Sequence, residues 1–115
     1  MILSLIVILA AGLRFWQIGS IPGEMWGDVI EHYKLVLAIQ RGHSVWSHWW
    51  GSDGPIFPYM AYIVSIFTHL SFDSLKITSA IIGSLGVIAE YYMALGVSKN
   101  KRLALIACFL VGVSF

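Results

Sequence analysis

The chain has 115 residues, of which 58% are hydrophobic and 11% are charged, and its mean hydropathy is +0.81. Roughly a quarter of the residues of an ordinary soluble domain are charged, so this composition argues against a soluble domain and favours an integral membrane protein. The formal net charge is +1 and no basic cluster alternates with aromatic residues, so the sequence indicates no nucleic-acid partner.

The first apolar run extends from Met1 to Leu13 and is followed by Arg14. If this helix continues to residue 18, with the Arg14 side chain reaching the membrane interface and Trp16 lying there, it measures about 27 Å. We therefore predict a short membrane span over residues 1–18. A signal peptide is the alternative, but no charged leader precedes the run and no small-residue cleavage pattern follows it.

Residues 19–55 form a polar loop that contains four of the five tryptophans and four of the six acidic residues. Within it, Asp28, Glu31 and Gly42 have the spacing of a helix N-cap, the glutamate of a capping box and a C-terminal glycine. This spacing predicts a surface helix over residues 29–41. Its wide apolar stripe indicates that it lies along the membrane face.

Three further apolar runs follow the loop. The run at residues 56–72 tolerates Pro58 in its first turn, and the run at residues 75–97 is about 34 Å long as a helix, which is ample for a span. A basic connection at residues 98–102 leads to residues 103–115, which we expect to begin a span that continues in the natural protein. Small residues recur along the 75–97 run and predict close helix packing: Ser79, Gly83, Gly86 and Ala89.

The predicted fold class is therefore an all-α integral membrane protein. It has about four transmembrane helices, the first short and the fourth truncated, and an amphipathic juxtamembrane helix in the first large loop.

Asp28 and Glu31 are the first candidates for chemistry. An aspartate before a helix is what capping requires, but a carboxylate at the mouth of a membrane cavity can also act as a general base toward a hydroxyl group. The two roles are compatible, because one oxygen can cap the helix while the other faces the substrate. Glu31 is first a capping-box residue and second a participant in the same site.

The end of the loop is rich in aromatic residues and histidine. Its three tryptophans are Trp46, Trp49 and Trp50. They suit an interfacial aromatic belt, and they also offer stacking surfaces for a sugar ring or a lipid headgroup. A metal site made by His43, His48 and Asp53 is a minor alternative, because the histidines have no recognised ligand spacing. The sequence therefore indicates no particular cofactor, and we do not expect a divalent metal.

Three charged side chains lie within or beside the apolar runs. Glu90 is an intramembrane carboxylate, which marks either a functional group or a structural one that pairs with Lys99 or Arg102 near the interface. Arg14 and Lys76 lie at helix ends, where such residues usually anchor a helix at the interface, although either could hold a phosphate.

Several short segments follow one another in an order that is informative as a set. They are Leu13-Arg14-Phe15, Trp26-Gly27-Asp28, Arg41-Gly42, Asp53-Gly54-Pro55-Ile56-Phe57-Pro58-Tyr59, Leu75-Lys76-Ile77-Thr78-Ser79-Ala80-Ile81-Ile82-Gly83 and Lys101-Arg102-Leu103-Ala104-Leu105-Ile106-Ala107. In this order and spacing the chain resembles the amino-terminal part of the GT-C membrane glycosyltransferases that use polyprenyl-phosphate sugars. These include the protein O-mannosyltransferases and the bacterial aminoarabinose transferases, and the resemblance covers essentially the whole chain.

The resemblance implies hexosyl transfer from a polyprenyl-phosphate sugar to a hydroxyl group of a protein, lipid or glycan, by a single inverting displacement. Asp28 falls where the family has the aspartate of an Asp-Glu pair, which is the catalytic base; Val29 stands where that glutamate would be. Asp53 falls where relatives carry a polar residue before proline. The substrate-binding residues predicted on this basis and from their chemistry are Glu31, Asp53, Trp49 and Arg14.

The resemblance also implies a location and further partners. The family places the 19–55 loop outside the cell membrane, and the remaining helices of the full-length chain would supply most of the cavity, so we expect the 115 residues alone to be inactive. The positive-inside rule opposes this orientation, because six of the seven Lys and Arg, counting Arg14, lie on the side of that loop and only Lys76 lies opposite. We follow the family, since the loop also carries four acidic residues.

Two alternatives come from other classes of protein. One is a fragment of a transporter or channel, in which Glu90 and the small residues of the 75–97 run line a pathway. The other is a non-catalytic membrane subunit that only packs against partners.

Overall fold

The computed structural model describes residues 1–20, 27–46 and 54–114, and the side chain of Asp28 lies outside this description. Across these ranges the chain forms five helices and no strand, which confirms the all-α prediction for the described residues. The helices are α1 (Ile2–Phe15), α2 (Asp28–Gln40), α3 (Ile56–Thr68), α4 (Phe72–Ser98) and α5 (Lys101–Val113).

Helix α4 is long and apolar enough to cross a membrane, and it contains the apolar run predicted at residues 75–97, which makes it a candidate span. It has 27 residues, equivalent to about 40 Å of helix. Only 11% of its most apolar 18-residue window is buried within the chain, whereas the core helix of a soluble protein would be mostly buried. Among the described residues α4 alone meets these criteria, so the expected arrangement of four spans is not confirmed.

The spans predicted at residues 1–18 and 56–72 were too long. Helix α1 ends at Phe15, because Trp16 is extended (φ −62°, ψ 123°) and Gln17 has a φ of +52°. Its 14 residues reach only about 21 Å. Helix α3 ends at Thr68, where His69 adopts a φ of +60°, and it has 13 residues. In both cases the backbone turns before the apolar sequence ends.

Helix α5 begins at Lys101, two residues before the predicted start at residue 103. The side chain of Asn100 caps it by accepting a hydrogen bond from the backbone N–H of Arg102 at 2.9 Å. An asparagine in the extended conformation before a helix satisfies one of the first four N–H groups, which have no partner within the helix.

The chain divides into two compact units, and the first unit comprises Met1–Gln17 with Ser79–Phe115. Its core consists of Ala10, Val87 and Cys108, and the Cys108 thiol donates a hydrogen bond to the Val87 carbonyl at 3.4 Å. The buried residues of α5 are small and spaced by four: Ala104, Cys108 and Gly112. A Cβ at Gly112 would lie 3.4 Å from the Cβ of Ala10, so this stripe lets α5 approach α1 closely.

Of the two glycines among the small residues predicted to promote packing along α4, Gly83 lies against another side chain and Gly86 does not. A Cβ at Gly83 would lie 2.7 Å from the Nε atom of Arg14, whereas one at Gly86 would have no atom within 4 Å. Gly83 therefore makes room for a charged side chain, and Gly86 faces open space in the described structure.

The second unit comprises Ile18–Thr78. Helix α2 packs on α3 around a core of Val36, Ala61 and Leu75, and Leu75 comes from the first turns of α4. Partly buried apolar residues surround this core: Val29, Tyr33, Phe57, Tyr62 and Leu70. Three apolar residues of α2, namely Val29, Tyr33 and Val36, thus pack within their own unit, whereas Ile30 is 37% exposed.

Candidate functional site

Asp28 is the first residue of α2, and the predicted N-cap role at this position was wrong. The N-cap is Gly27, whose φ of +55° is a left-handed conformation that favours glycine, and the backbone N–H of Ile30 bonds to the Gly27 carbonyl at 3.1 Å. The helix therefore begins one residue before the predicted range of 29–41. Asp28 occupies the end of α2 where the helix dipole favours a negative charge.

Glu31 pairs with Lys34 on the surface of α2. The Lys34 Nζ atom donates to the Glu31 Oε1 atom at 2.6 Å, three residues apart along the helix. The side chains are 61% and 41% exposed respectively, so the pair contributes little to stability. The capping box predicted for Glu31 required Asp28 as the N-cap, and that premise fails because Gly27 takes this position.

The C-terminal end of α2 confirms the predicted role of Gly42. Gly42 has a φ of +84°; its N–H bonds to the Ile39 carbonyl at 2.9 Å, and the N–H of His43 bonds to the Ala38 carbonyl at 3.0 Å. This pair of bonds is a Schellman motif, in which a residue with positive φ lets the chain close the last helical turn.

The chain beyond this turn is held against α3. The N–H of Val45, which is buried, donates to the Tyr59 hydroxyl group at 3.1 Å. Gln40 adds a weaker hydrogen bond from its Nε2 atom to the Ser65 hydroxyl group at 3.4 Å. The packing of Val36 and these two hydrogen bonds hold α2 against α3. The core of the second unit therefore sets the position of α2, including its first residue, Asp28.

Much of the predicted aromatic and metal-binding region lies outside the described residues, including Asp53, Trp49, Trp50 and His48. Trp46 is described and is 77% exposed, as both a membrane-interface residue and a stacking surface would be. Within the described ranges no group of three or more His, Cys, Asp or Glu side chains could hold a metal ion.

Arg14, predicted to bind substrate or anchor α1, binds the end of α5 in the first unit. Its Nη1 atom donates to the carbonyls of Gly112 at 2.8 Å and Ala10 at 3.2 Å, and its Nη2 atom donates to those of Val111 and Ser114, both at 3.2 Å. The last carbonyls of a helix have no partner within the helix, so a guanidinium group that bonds them compensates the helix end.

Lys76, the other predicted cation, is almost fully buried in the second unit, with 8% of its side chain exposed. Its Nζ atom donates to the Ile18 carbonyl at 2.8 Å, lies 3.4 Å from the Asp73 Oδ1 atom and lies 4.4 Å from the centre of the Phe72 ring. A carbonyl, a carboxylate and an aromatic face together compensate the buried charge. Lys76 thus ties the chain after α1 to the start of α4.

Glu90 lies half-buried on α4. The predicted pairing with Lys99 or Arg102 is not formed: in the described part of the chain no ion pair or hydrogen bond joins the Glu90 carboxylate to another side chain. It lies well inside the candidate span, whereas Asp73, the other carboxylate of α4, lies in its first turn.

One group of residues was not predicted as a site. Lys34, Arg41 and His43 surround a shallow depression on α2 whose floor is Leu37 and Ala38. The sequence did carry a signal for it, because Lys34 and Arg41 are seven residues apart and so lie on one face of a helix.

A scan against protein-family models finds no match, and searches of curated proteins and of solved structures find no similar protein. Function therefore rests on the residues and on the arrangement described above.

Proposed function

We propose that this chain forms the amino-terminal part of a GT-C membrane glycosyltransferase, which moves a hexosyl group from a polyprenyl phosphate to an acceptor hydroxyl group. Two features support the proposal: the ordered segments that resemble this family, and the presence of α4 as a candidate span. We extend it to further spans at α1 and α3, which are apolar but shorter, to a span that begins with α5, and to a plasma-membrane location.

The observation that carries the proposal is the placement of Asp28. It is the first residue of a helix that the second unit holds through Val36, Ala61 and Leu75, and Leu75 belongs to the first turns of the candidate span. Val29, the next residue, packs against the same core, so the backbone at position 28 adjoins the core that includes the start of the candidate span. General-base chemistry needs a carboxylate held within hydrogen-bonding reach of the attacking hydroxyl group, and we propose that Asp28 supplies it.

In the proposed reaction, the Asp28 carboxylate accepts the proton of the acceptor hydroxyl group. The acceptor oxygen forms a bond to the anomeric carbon as the bond from that carbon to the phosphate oxygen breaks, and polyprenyl phosphate leaves with the bonding electrons. The single displacement inverts the anomeric configuration. Glu31, Asp53 and Trp49 are proposed to contact the substrates, with the tryptophan stacking on the sugar ring.

The leaving phosphate gathers negative charge, so a preorganised cation should stabilise it. Arg14 already donates four hydrogen bonds to backbone carbonyls, and Lys76 already has a carbonyl, a carboxylate and an aromatic ring around it. The contacts of these two cations give no support to a role in donor binding. We therefore propose that the cation comes from other helices of the full-length protein.

The experiment that tests the proposal is a transfer assay on protein expressed from its complete gene. Release of polyprenyl phosphate from a set of lipid-linked sugars is measured for the wild type, for Asp28→Asn and for Asp73→Asn. Loss of a general base lowers a rate by about 10²–10⁴-fold, and this loss is expected only for Asp28→Asn. Asp73→Asn removes a carboxylate that has no proposed contact with the substrates. Because Asp73 also helps to compensate the buried charge of Lys76 at 3.4 Å, the amount of folded protein is measured for each variant.

The orientation of the loop is tested separately. A reporter placed at Ser52 should be outside the cell if the 19–55 loop carries the catalytic face, as proposed. A cytoplasmic reporter would agree with the count of Lys and Arg and would refute the proposed arrangement.

A transporter or channel is the second candidate, and Glu90 is the observation that favours it. A half-buried carboxylate within a candidate span, with no ion pair among the described residues, is a usual feature of ion or substrate pathways. If this candidate is correct, Glu90→Gln abolishes function and Asp28→Asn does not.

A further inference from the structure

A shallow depression of about 250 Å³ lies along the second half of α2 and the turn that follows it. Its floor is formed by the apolar residues Leu37 and Ala38, and its rim by the exposed side chains of Lys34, Arg41 and His43. We call this surface the basic depression. All five residues belong to the second unit.

The helix and its terminal turn together create this arrangement. Lys34, Ala38 and Arg41 follow one another at intervals of four and three residues, so they form one stripe on α2. His43 would point away if the helix simply continued. The left-handed conformation at Gly42 folds the chain back, and the His43 N–H bonds to the Ala38 carbonyl, which places His43 beside the depression.

The cations of the rim are available to a ligand. The last carbonyls of α2 are already bonded by backbone N–H groups, since Arg41, Gly42 and His43 donate to the carbonyls of Leu37, Ala38 and Ile39. The Arg41 side chain is therefore not needed to cap its own helix. Lys34 is paired with Glu31, but the two side chains are 61% and 41% exposed, and such a surface pair is weak enough to exchange for a stronger anion.

The position of α2 indicates which anion this is. Val36 of α2 and Leu75 of α4 share one core, and Leu75 lies in the first turns of the candidate span. Helix α2 therefore packs beside one end of that span, where the headgroups of a bilayer lie. An apolar floor beneath two permanent cations suits a phosphate group that carries hydrocarbon, because the cations bind the phosphate while the floor contacts the adjoining chain.

We propose that the basic depression binds the phosphate group of an anionic membrane lipid. The Arg41 guanidinium group and the Lys34 ammonium group contact phosphate oxygens, His43 adds an N–H donor, and Leu37 and Ala38 contact the glycerol and first acyl carbons. This site requires that the chain sits at a bilayer, but it does not depend on glycosyl transfer.

The test is a lipid titration of the purified 115-residue chain in detergent, with bound lipid counted by native mass spectrometry. Dioleoyl phosphatidic acid is expected to bind at least tenfold more tightly than dioleoyl phosphatidylcholine, which has the same acyl chains. Each juxtamembrane cation contributes about fivefold, so Lys34→Gln/Arg41→Gln should weaken phosphatidic acid binding by about 25-fold. Retention of wild-type affinity in this variant would overturn the proposal.

Two further variants separate a specific site from general attraction and from misfolding. Lys99→Gln/Lys101→Gln removes the same charge in the first unit and should leave the affinity within about twofold, since neither residue lines the depression. Equal weakening by both double variants would overturn the proposal. Glu31→Gln removes the competing partner of Lys34 and should tighten binding several-fold; a loss of function by misfolding cannot produce such a gain.

Inorganic phosphate distinguishes the source of the phosphate group. If the site selects a lipid, a large excess of inorganic phosphate should fail to displace phosphatidic acid. Displacement by inorganic phosphate at the same affinity would mean that the apolar floor contributes nothing, and it would overturn the assignment to a lipid.

Discussion

Replacing Gly83 by alanine should destabilise the chain, whereas the same change at Gly86 should stabilise it. Both glycines lie within α4, so each replacement gains about 0.5–1 kcal/mol of helix propensity. A Cβ at Gly86 has no atom within 4 Å, so the gain should appear in full there. A Cβ at Gly83 would lie 2.7 Å from the Arg14 Nε atom and 3.2 Å from its Cδ atom.

Relief of that clash requires the Arg14 side chain to move, and this side chain holds four hydrogen bonds to backbone carbonyls. A hydrogen bond from a charged group contributes about 1.5–3 kcal/mol when it is well buried. Two of these four are exposed, so solvent screening lowers the loss for the whole group to about 2–3 kcal/mol. After the gain in propensity, Gly83→Ala should lower the free energy of unfolding by about 1–2 kcal/mol.

Thermal unfolding in detergent, followed by circular dichroism at 222 nm, measures both effects. The decisive sample is the double variant Arg14→Ala/Gly83→Ala compared with Arg14→Ala alone. Without the guanidinium group, a Cβ at position 83 no longer clashes with Arg14. Gly83→Ala should then stabilise the chain as Gly86→Ala does. If Gly83→Ala and Gly86→Ala shift the unfolding midpoint equally with Arg14 present, the described contact does not hold the helices together.

Three further changes test local features by the same unfolding measurement. Gly42→Ala should lower the free energy of unfolding by about 1–2 kcal/mol, because Gly42 has a φ of +84°. Gly12→Ala lies inside α1, where the new Cβ has no atom within 4 Å, so it should raise the free energy of unfolding. A change of the same sign in both variants would contradict the left-handed turn. Asn100→Ala should cost about 1 kcal/mol through loss of the α5 cap, and Asn100→Asp should recover it. Tyr59→Phe should cost about 1 kcal/mol by leaving the buried N–H of Val45 without its partner, and an unchanged midpoint would show that this bond contributes nothing.

The positions of the helices could be predicted from the sequence, but several of their ends could not. Hydropathy located α4, and Gly42 located the end of α2, because apolar runs and left-handed turns each have a residue preference. Gln17 and His69 end α1 and α3 with positive φ values although neither is glycine. No residue preference marks these ends, so the apolar pattern extended the predicted helices past them. Asn100 has the residue type of an N-cap, but the apolar pattern alone placed the start of α5 at residue 103, two residues too late.

The candidate site was less accessible to sequence reasoning, because it depends on contacts between distant residues. Arg14 bonds to carbonyls of α5 and its end at separations of 97 to 100 residues. In the sequence, an arginine at a helix end looks the same whether its partner is a phosphate or another helix. Lys76 likewise meets Ile18, 58 residues away. For Asp28, a difference of one residue in the helix start decides between a cap and the first helical position, and spacing alone does not resolve this.

The central claim is that Asp28 is the base of a glycosyl transfer. It is tested most directly by the rate of polyprenyl phosphate release from lipid-linked sugars, measured side by side for Asp28→Asn and Glu90→Gln in protein expressed from its complete gene. The account predicts a loss of about 10²–10⁴-fold for Asp28→Asn and a rate near that of the wild type for Glu90→Gln. A folded, membrane-inserted Asp28→Asn protein that keeps the wild-type rate, with activity lost in Glu90→Gln instead, would contradict it.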